Sequence, residues 1–180
     1  AEMTLFYKHQ GKSLYDGLID LYNKYGFFKE GLVSIDLKGK EGQEKIAKCI
    51  DELRNSSLPE VNGVKVATKL DYKLSKEENL TTGTESVINL PKSNVLKYIL
   101  ENGSSFVVRP SGTEPKMKVY SAVKGESLTN AEEKLKRFNE KVMEIINEKL
   151  NLSNITSLEL ENKVKCIYLD KNKNVKIDIK

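Results

Sequence analysis

The spacing of apolar residues changes several times along the chain, and each change predicts a different secondary-structure element. Apolar residues recur at helical spacing near 13–25, 41–54 and 128–149. A shorter helical pattern containing Met3 and Phe6 precedes them and ends at Gly11. Apolar and polar residues alternate in other segments, which predicts strands at about 31–37, 61–72, 95–100, 105–108 and 117–123.

Residues that favour helix ends mark the limits of these helices. Ser13 is predicted to cap the second helix, with Asp16 in its first turn, and Gly26 is predicted to end it. For the last helix, Thr129 and Glu132 have the spacing of a capping box. Each of these helices therefore has a predicted beginning that is independent of its apolar pattern.

The connections between the elements decide the fold class. Asn102-Gly103 tolerates the positive φ angles of a tight turn and predicts a β-hairpin. Residues 73–93 are polar and are predicted to form a loop or a weakly structured insertion, whereas 151–180 alternate again and predict strands with a turn near 171–174. Because strands and helices mix without regular β-α-β alternation, the sequence predicts an α+β class with an antiparallel sheet.

Composition and charge narrow the possible functions. The 180 residues include 30 Lys+Arg and 26 Asp+Glu, a formal net charge of +4, and 38% of them are hydrophobic. That is enough apolar material for the core of one domain with attachments. The charges are interspersed, which is typical of a mixed solvated surface rather than of a nucleic-acid interface. No apolar run approaches the length of a membrane span.

The single histidine and two cysteines exclude much catalytic chemistry. A Ser-His-Asp triad would have to use His9, which lies in a polar context, and zinc sites need several His or Cys residues at close spacing. Cys49 lies on the apolar face of a predicted helix and Cys166 in a strand-like run, so both are expected to be core residues in a reducing compartment. With no signal peptide at the N-terminus, a cytoplasmic location is expected.

One segment between two predicted strands has the composition of an anion-binding loop. It runs Arg-Pro-Ser-Gly-Thr-Glu-Pro-Lys-Met-Lys over 109–118. Arg109 offers a planar fork for phosphate, Ser111 and Thr113 offer hydroxyl donors, and Gly112 permits close backbone approach. Lys118 follows on the next strand, where its charge can reach the same anion. The alternative from composition alone is an ordinary β-turn with incidental charges.

The sequence of this segment resembles that of a known protein family. Phe-Val-Val-Arg-Pro-Ser-Gly-Thr-Glu-Pro-Lys-Met-Lys-Val-Tyr at 106–120 resembles the C-terminal phosphate-binding loop of the α-D-phosphohexomutases, the phosphoglucomutase/phosphomannomutase family. Segments at 12–26 and 90–95, the hairpin and the last helix are also similar to that family. The resemblance implies a helical remnant of a third domain at 1–30, a phosphate-binding domain at 31–150 and an extra tail at 151–180. It also implies an antiparallel sheet flanked by two helices, as in the TATA-box-binding-protein architecture.

The resemblance further implies a function and a set of site residues. Arg109, Ser111, Gly112 and Thr113 match the loop that grips the substrate phosphate, and Lys118 falls where relatives often place an arginine. The implied parent enzyme interconverts hexose 1-phosphate and hexose 6-phosphate through a bisphosphate. Mg²⁺ and hexose 1,6-bisphosphate are therefore expected for the parent. A hexose phosphate and the remaining domains of the parent are the expected partners, and neither nucleic acid nor membrane is expected.

The chain lacks other motifs of that family. It contains neither an Asp-x-Asp-x-Asp metal loop nor a Ser-His-Asn phosphoserine loop. A segment without phosphoryl donor and metal cannot transfer a phosphoryl group, so we expect no catalytic residue, no metal site and no cofactor of its own in this chain. The alternatives that remain open are a nucleic-acid-binding module and a protein-interaction module.

Overall fold

The computed structural model describes residues 1–150 and the backbone of two short strands beyond them. The helices are α1 Glu2–His9, α2 Leu14–Tyr25, α3 Gly39–Asn55 and α4 Leu128–Lys149. The strands are β1 Phe27–Asp36, β2 Glu60–Val61, β3 Val64–Asp71, β4 Lys76–Asn79, β5 Thr84–Val87, β6 Leu96–Leu100, β7 Ser105–Pro110, β8 Lys116–Gly125, β9 Ile167–Leu169 and β10 Val175–Ile177. Among the described residues, no helix is long and apolar enough to span a bilayer.

The strands β1 to β8 form one sheet in the order β1-β8-β7-β6-β3-β4-β5, with β2 paired to β3. Every pairing in this sheet is antiparallel. The long partners β1 and β8 lie side by side although they are far apart in sequence, because the hairpins between them fill the rest of the sheet. The predicted α+β class with an antiparallel sheet is therefore confirmed.

Helices α3 and α4 cover one side of the sheet, which we call the inner face. α4 packs on β1 and β8, and α3 packs on β7 and β8. The core contains Val33, Ile46, Cys49, Ile50, Leu53, Leu96, Tyr98, Phe106, Val108, Met117, Val119, Phe138, Val142 and Ile146. Tyr98 is fully buried, and its hydroxyl donates to the Leu53 carbonyl oxygen at 2.9 Å, which joins β6 to α3. The opposite side, the outer face, is not covered by α3 or α4.

The prediction that 73–93 form a loop is wrong, because this stretch contains the hairpin β4–β5. β4 pairs with β3, and β5 pairs with β4 at the edge of the sheet. The side chain of Asn79 accepts hydrogen bonds from the amides of Thr81 and Thr82, both at 3.0 Å, and this fixes the turn. The strand β5 is exposed along its whole length, so it carries no apolar alternation from which a strand is predicted.

Two predicted boundaries also differ from the structure. The cap of α4 is Ser127, whose hydroxyl accepts from the Asn130 amide at 3.1 Å, so the capping box of Thr129 and Glu132 is wrong. The Asn130 side chain in turn accepts from the amide of Glu126, the residue before the cap, at 3.2 Å. The strand β1 begins at Phe27, four residues before the predicted change of period, because its first residues pair with the end of β8.

The N-terminal helices lie at the β1 edge, and their apolar residues are largely exposed. Ser13 caps α2 in a capping box with Asp16, and α2 ends at Gly26, as predicted. The exposed apolar side chains of the two helices are Met3, Leu5, Phe6, Leu14, Leu18, Leu21 and Tyr25. This exposure is what a helical remnant of another domain would show, but the division at residue 30 stays a prediction.

Beyond residue 150, the structure describes only β9 and β10, which pair antiparallel. The predicted turn at 171–174 and the predicted strand position of Cys166 lie outside the described residues. The assignment of 151–180 as a separate tail also stays a prediction. Cys49, by contrast, is fully buried as predicted, and burial raises the pKa of its thiol to about 12, so it is an unreactive core residue.

Candidate functional site

The segment singled out in the sequence is the connection between β7 and β8. It joins two neighbouring interior strands of the sheet, and Arg109 pairs in register with Lys118. The preceding and following residues, Val108 and Val119, are buried on the inner face. Because side chains alternate along a strand, Arg109 and Lys118 both lie on the outer face, and both are exposed.

Hydrogen bonds within the connection hold its backbone in a defined shape. The amide of Ser111 donates to the Lys116 carbonyl oxygen at 2.8 Å, and the Lys116 amide donates to the Glu114 carbonyl oxygen at 2.7 Å. The Glu114 amide donates to the hydroxyl oxygen of Ser111 at 3.2 Å. The loop is therefore ordered by its own contacts before any ligand binds.

The end of β1 fixes the same loop from the neighbouring strand. The Leu37 amide donates to the Pro115 carbonyl oxygen at 2.9 Å, and Lys116 Nζ lies 3.1 Å from Asp36 Oδ1. Ser34 pairs in register with Lys118 and so also lies on the outer face. Sequence reasoning misses Ser34 and Asp36 as neighbours of the loop, because alternation predicts a strand there but does not say which strand it pairs with.

Two backbone amides of the loop have no acceptor within residues 1–150. These are the amides of Gly112 and Thr113, both of which are exposed. Ser111 uses its hydroxyl oxygen as an acceptor, which leaves its hydroxyl hydrogen to donate. A Cβ built on Gly112 would meet nothing within 4 Å among residues 1–150, so no contact in this part of the chain requires glycine at this position. The open space beside Gly112 is available to a ligand.

The charges of Arg109 and Lys118 are not neutralised within the described part of the chain. Neither side chain forms a hydrogen bond or an ion pair with any residue there. Like charges directly opposite each other on neighbouring strands destabilise a sheet. An arrangement of two opposed cations, two unused amides and a hydroxyl donor is suited to binding a dianion such as phosphate.

Comparison with known proteins identifies the family to which this chain is similar. The family model described as phosphoglucomutase/phosphomannomutase, C-terminal domain, matches residues 51–144, which is more than half of the chain and includes the whole β7–β8 loop. The chain belongs to the phosphoglucomutase/phosphomannomutase family. The family match begins inside α3, so β1, which completes the anchoring of the loop, lies before it.

Individual relatives of this chain are named phosphoglucomutase. A phosphoglucomutase from Staphylococcus aureus (strain bovine RF122 / ET3-1) is 37% identical over 135 residues, which cover 75% of this chain and 24% of that protein. The phosphoglucomutase of Staphylococcus haemolyticus is 35% identical over 117 residues, covering 65% of this chain and 21% of that protein. The chain thus spans less than a quarter of the length of these two relatives.

A solved structure whose title names a phosphoglucomutase also shows some likeness to this chain. It is the open form of pp63/parafusin, a phosphoglucomutase from Paramecium, with a TM-score of 0.41 and 10% identity over 77% of this chain and 23% of that one. At that level of likeness, membership of the phosphoglucomutase/phosphomannomutase family rests on the sequence matches.

The described residues do not fit a Mg²⁺ site of the phosphoglucomutase/phosphomannomutase family. Within 1–150, no three His, Cys, Asp or Glu side chains come together closely enough to hold a metal ion. The nearest acidic side chain to the loop on β1, Asp36, is already paired with Lys116.

Proposed function

We propose that the β7–β8 loop binds the phosphate group of a hexose phosphate, and that this chain is the phosphate-binding C-terminal part of a phosphohexomutase. The complete enzyme would interconvert hexose 1-phosphate and hexose 6-phosphate through a bisphosphorylated sugar. In this role the domain holds the phosphate that is not being transferred. The phosphoryl donor and Mg²⁺ would belong to other parts of a longer protein located in the cytoplasm, and residues 1–30 would belong to the domain before this one.

The observation that carries the proposal is the opposed pair of Arg109 and Lys118. The guanidinium offers two parallel N–H donors to two phosphate oxygens, whereas the ammonium supplies a point charge from the neighbouring strand. Ser111, Gly112 and Thr113 lie just beyond Arg109, and the Ser111 hydroxyl and the amides of Gly112 and Thr113 add donors that no residue of 1–150 uses. Each donor holds an oxygen of the phosphate, so the loop orients the substrate without taking part in bond breaking.

The affinity of the isolated chain should be weak. Each charge-assisted hydrogen bond contributes about 1.5–3 kcal/mol, but ordering and desolvation of the ligand oppose them. A dissociation constant on the order of millimolar, about −4 kcal/mol, is therefore expected for glucose 6-phosphate. We also expect this chain alone to show no mutase activity, because it contains no phosphoryl donor.

The test is a titration of the isotope-labelled 180-residue chain with glucose 6-phosphate, monitored by NMR. We expect shifts of the amides at 111–114 and loss of most of the binding in Arg109→Ala. Arg137→Ala is the matched control, because Arg137 is an exposed arginine on α4 that pairs with Glu133, far from the loop in sequence. Equal affinities of the wild-type chain and Arg109→Ala would overturn the proposal.

A further inference from the structure

One lysine of the eight-stranded sheet differs from the others in its environment. Five lysines of this sheet are at least partly buried: Lys29, Lys69, Lys76, Lys97 and Lys116. Lys29 pairs with Glu132, Lys76 with Glu78 and Glu85, and Lys116 with Asp36. Lys69 donates to two backbone carbonyl oxygens at the end of α3. Within the described chain, Lys97 alone of the five has no hydrogen bond and no ion pair.

The position of Lys97 connects it to the loop. It lies on β6, where it pairs in register with Val107 of β7 and with Leu70 of β3. Arg109 follows Val107 by two residues, so Lys97 and Arg109 are diagonal neighbours on the outer face. Diagonal neighbours of this kind have their Cα atoms about 7–8 Å apart, which long side chains can bridge.

No carboxylate of the outer face neutralises this group of cations within the described residues. Glu77 on β4 is separated from Lys97 by Leu70 of β3, and Asp36 on β1 is bound to Lys116. The apolar neighbours of Lys97 account for the burial of its hydrocarbon stem, but they offer nothing to its ammonium group. Three neighbouring strands therefore carry three cations, Lys97, Arg109 and Lys118, without a counter-charge in the described chain.

We propose that Lys97 is a further phosphate-binding residue, which contacts the same anion from the β6 side. This inference rests on the proposed function of the β7–β8 loop and extends that site to a third strand. Arg109 on β7 lies between Lys97 on β6 and Lys118 on β8. An anion bound to its guanidinium is therefore flanked by Lys118 on one side and by Lys97 on the other. Lys97 then holds a phosphate oxygen that the loop leaves open to solvent.

The test measures binding of inorganic phosphate and of glucose 6-phosphate to the 180-residue chain by NMR titration. We expect Lys97→Gln to raise the dissociation constant of both ligands about fivefold, the size of one charge-assisted contact at a partly exposed site. The side-chain signals of Lys97 should shift as phosphate is added. Lys124→Gln is the matched control, because Lys124 lies on the same outer face, over the ring of Phe28 at 5.2 Å.

The outcomes separate this inference from the proposed function. If Lys97→Gln binds phosphate as tightly as the wild-type chain while Arg109→Ala does not bind, Lys97 is excluded and the loop site stands. If Lys97→Gln and Lys124→Gln weaken binding equally, the effect is one of general charge and the inference is wrong. A loss seen only with glucose 6-phosphate would place Lys97 on the sugar and overturn the phosphate contact. Undiminished binding by Arg109→Ala would overturn the proposed function itself.

Discussion

Two arginine–lysine pairs lie on the two faces of the same sheet, and they differ in where their partners are. Arg54 at the end of α3 is buried, with only 7% of its side chain exposed. Its Nε donates to Asp71 Oδ2 at 2.9 Å, and its other nitrogens donate to Asp51 and to Asn94. Arg109 on the outer face has no hydrogen-bond or ion-pair partner in the described part of the chain.

The lysines of the two pairs differ in the same way. Lys69 is buried, and its Nζ donates to the Arg54 carbonyl oxygen at 2.6 Å, where it caps the C-terminus of α3. Burial lowers the pKa of Lys69 below its usual value. Lys118 is exposed and its ammonium contacts no acceptor within 1–150. Residue type is therefore the same in both pairs, and the presence of internal partners separates a structural cation from one available to a ligand.

The largest effect should come from removing the carboxylate that Arg54 binds. Asp71→Ala removes the buried carboxylate from the Arg54 guanidinium and also removes an acceptor for the amides of Lys73 and Leu74. We expect a loss of about 3–5 kcal/mol in the free energy of unfolding, measured by urea denaturation. The control is Asp36→Ala, which removes an exposed carboxylate and should cost no more than about 1 kcal/mol. Similar losses in the two variants would show that burial does not separate the two kinds of pair.

A smaller effect is expected for the lysine of the buried pair. Lys69→Met should lower the free energy of unfolding by about 1–2 kcal/mol, because carbonyl oxygens at the end of α3 lose their donor. Lys118→Met, the matched change on the outer face, should stay within about 0.5 kcal/mol. Because the folded pKa of Lys69 is lowered, the unfolded chain binds this proton more tightly. The advantage of the wild type over Lys69→Met should therefore widen as the pH rises toward 10.5. A constant difference across that range would contradict the burial of the charge.

On the outer face, Arg109→Lys should weaken phosphate binding less than Arg109→Ala does. The lysine keeps the charge but loses one of two parallel N–H donors, which should raise the dissociation constant about threefold to tenfold. The reciprocal change Lys118→Arg adds a second fork opposite the first and should not weaken binding. Both are measured by NMR titration with inorganic phosphate. If Arg109→Lys binds as tightly as the wild type, the geometry of the fork does not matter at this site.

The sequence predicts the inner face better than the outer one. Apolar periodicity identifies α3, α4 and the buried strands, because burial on one side leaves a regular pattern, and Val108 and Val119 fit it. The exposed strand β5 escapes prediction because neither of its faces is buried. The N-cap of α4 is misplaced by two residues, because Ser127 and Thr129 are both good caps and only the fold selects between them.

The candidate site shows the same division. The residues of the loop can be predicted from the sequence, because they are contiguous from Arg109 to Lys118 and form a specific motif. Ser34, Asp36 and Lys97 cannot, because they reach the site only through strand pairing between segments distant in sequence. Such pairings depend on which hairpins fill the sheet between β1 and β8, and alternation within a single strand carries no record of them.

The smallest effect should come from the ion pair that ties the loop to β1. Asp36 and Lys116 are 43% and 34% exposed, so their interaction is largely screened by water. A double-mutant cycle of Asp36→Ala, Lys116→Ala and both should give a coupling of about 0.2–1 kcal/mol in the free energy of unfolding. The hydrogen bond from the Leu37 amide to the Pro115 carbonyl oxygen remains in every variant and keeps the loop in place.

Phosphate binding should respond to this pair even less than stability does. Lys116 is already neutralised by Asp36, so it contributes no free charge to the anion, and removal of both side chains leaves Arg109 and Lys118 unchanged. We expect the dissociation constant of the double variant to stay within about twofold of the wild type. A coupling as large as the roughly 3 kcal/mol or more expected to be lost in Asp71→Ala, or a large loss of phosphate binding, would mean that an exposed pair can contribute as much as a buried one. In that case exposure and pairing would no longer distinguish the cations that stabilise the fold from those that are available to bind a ligand.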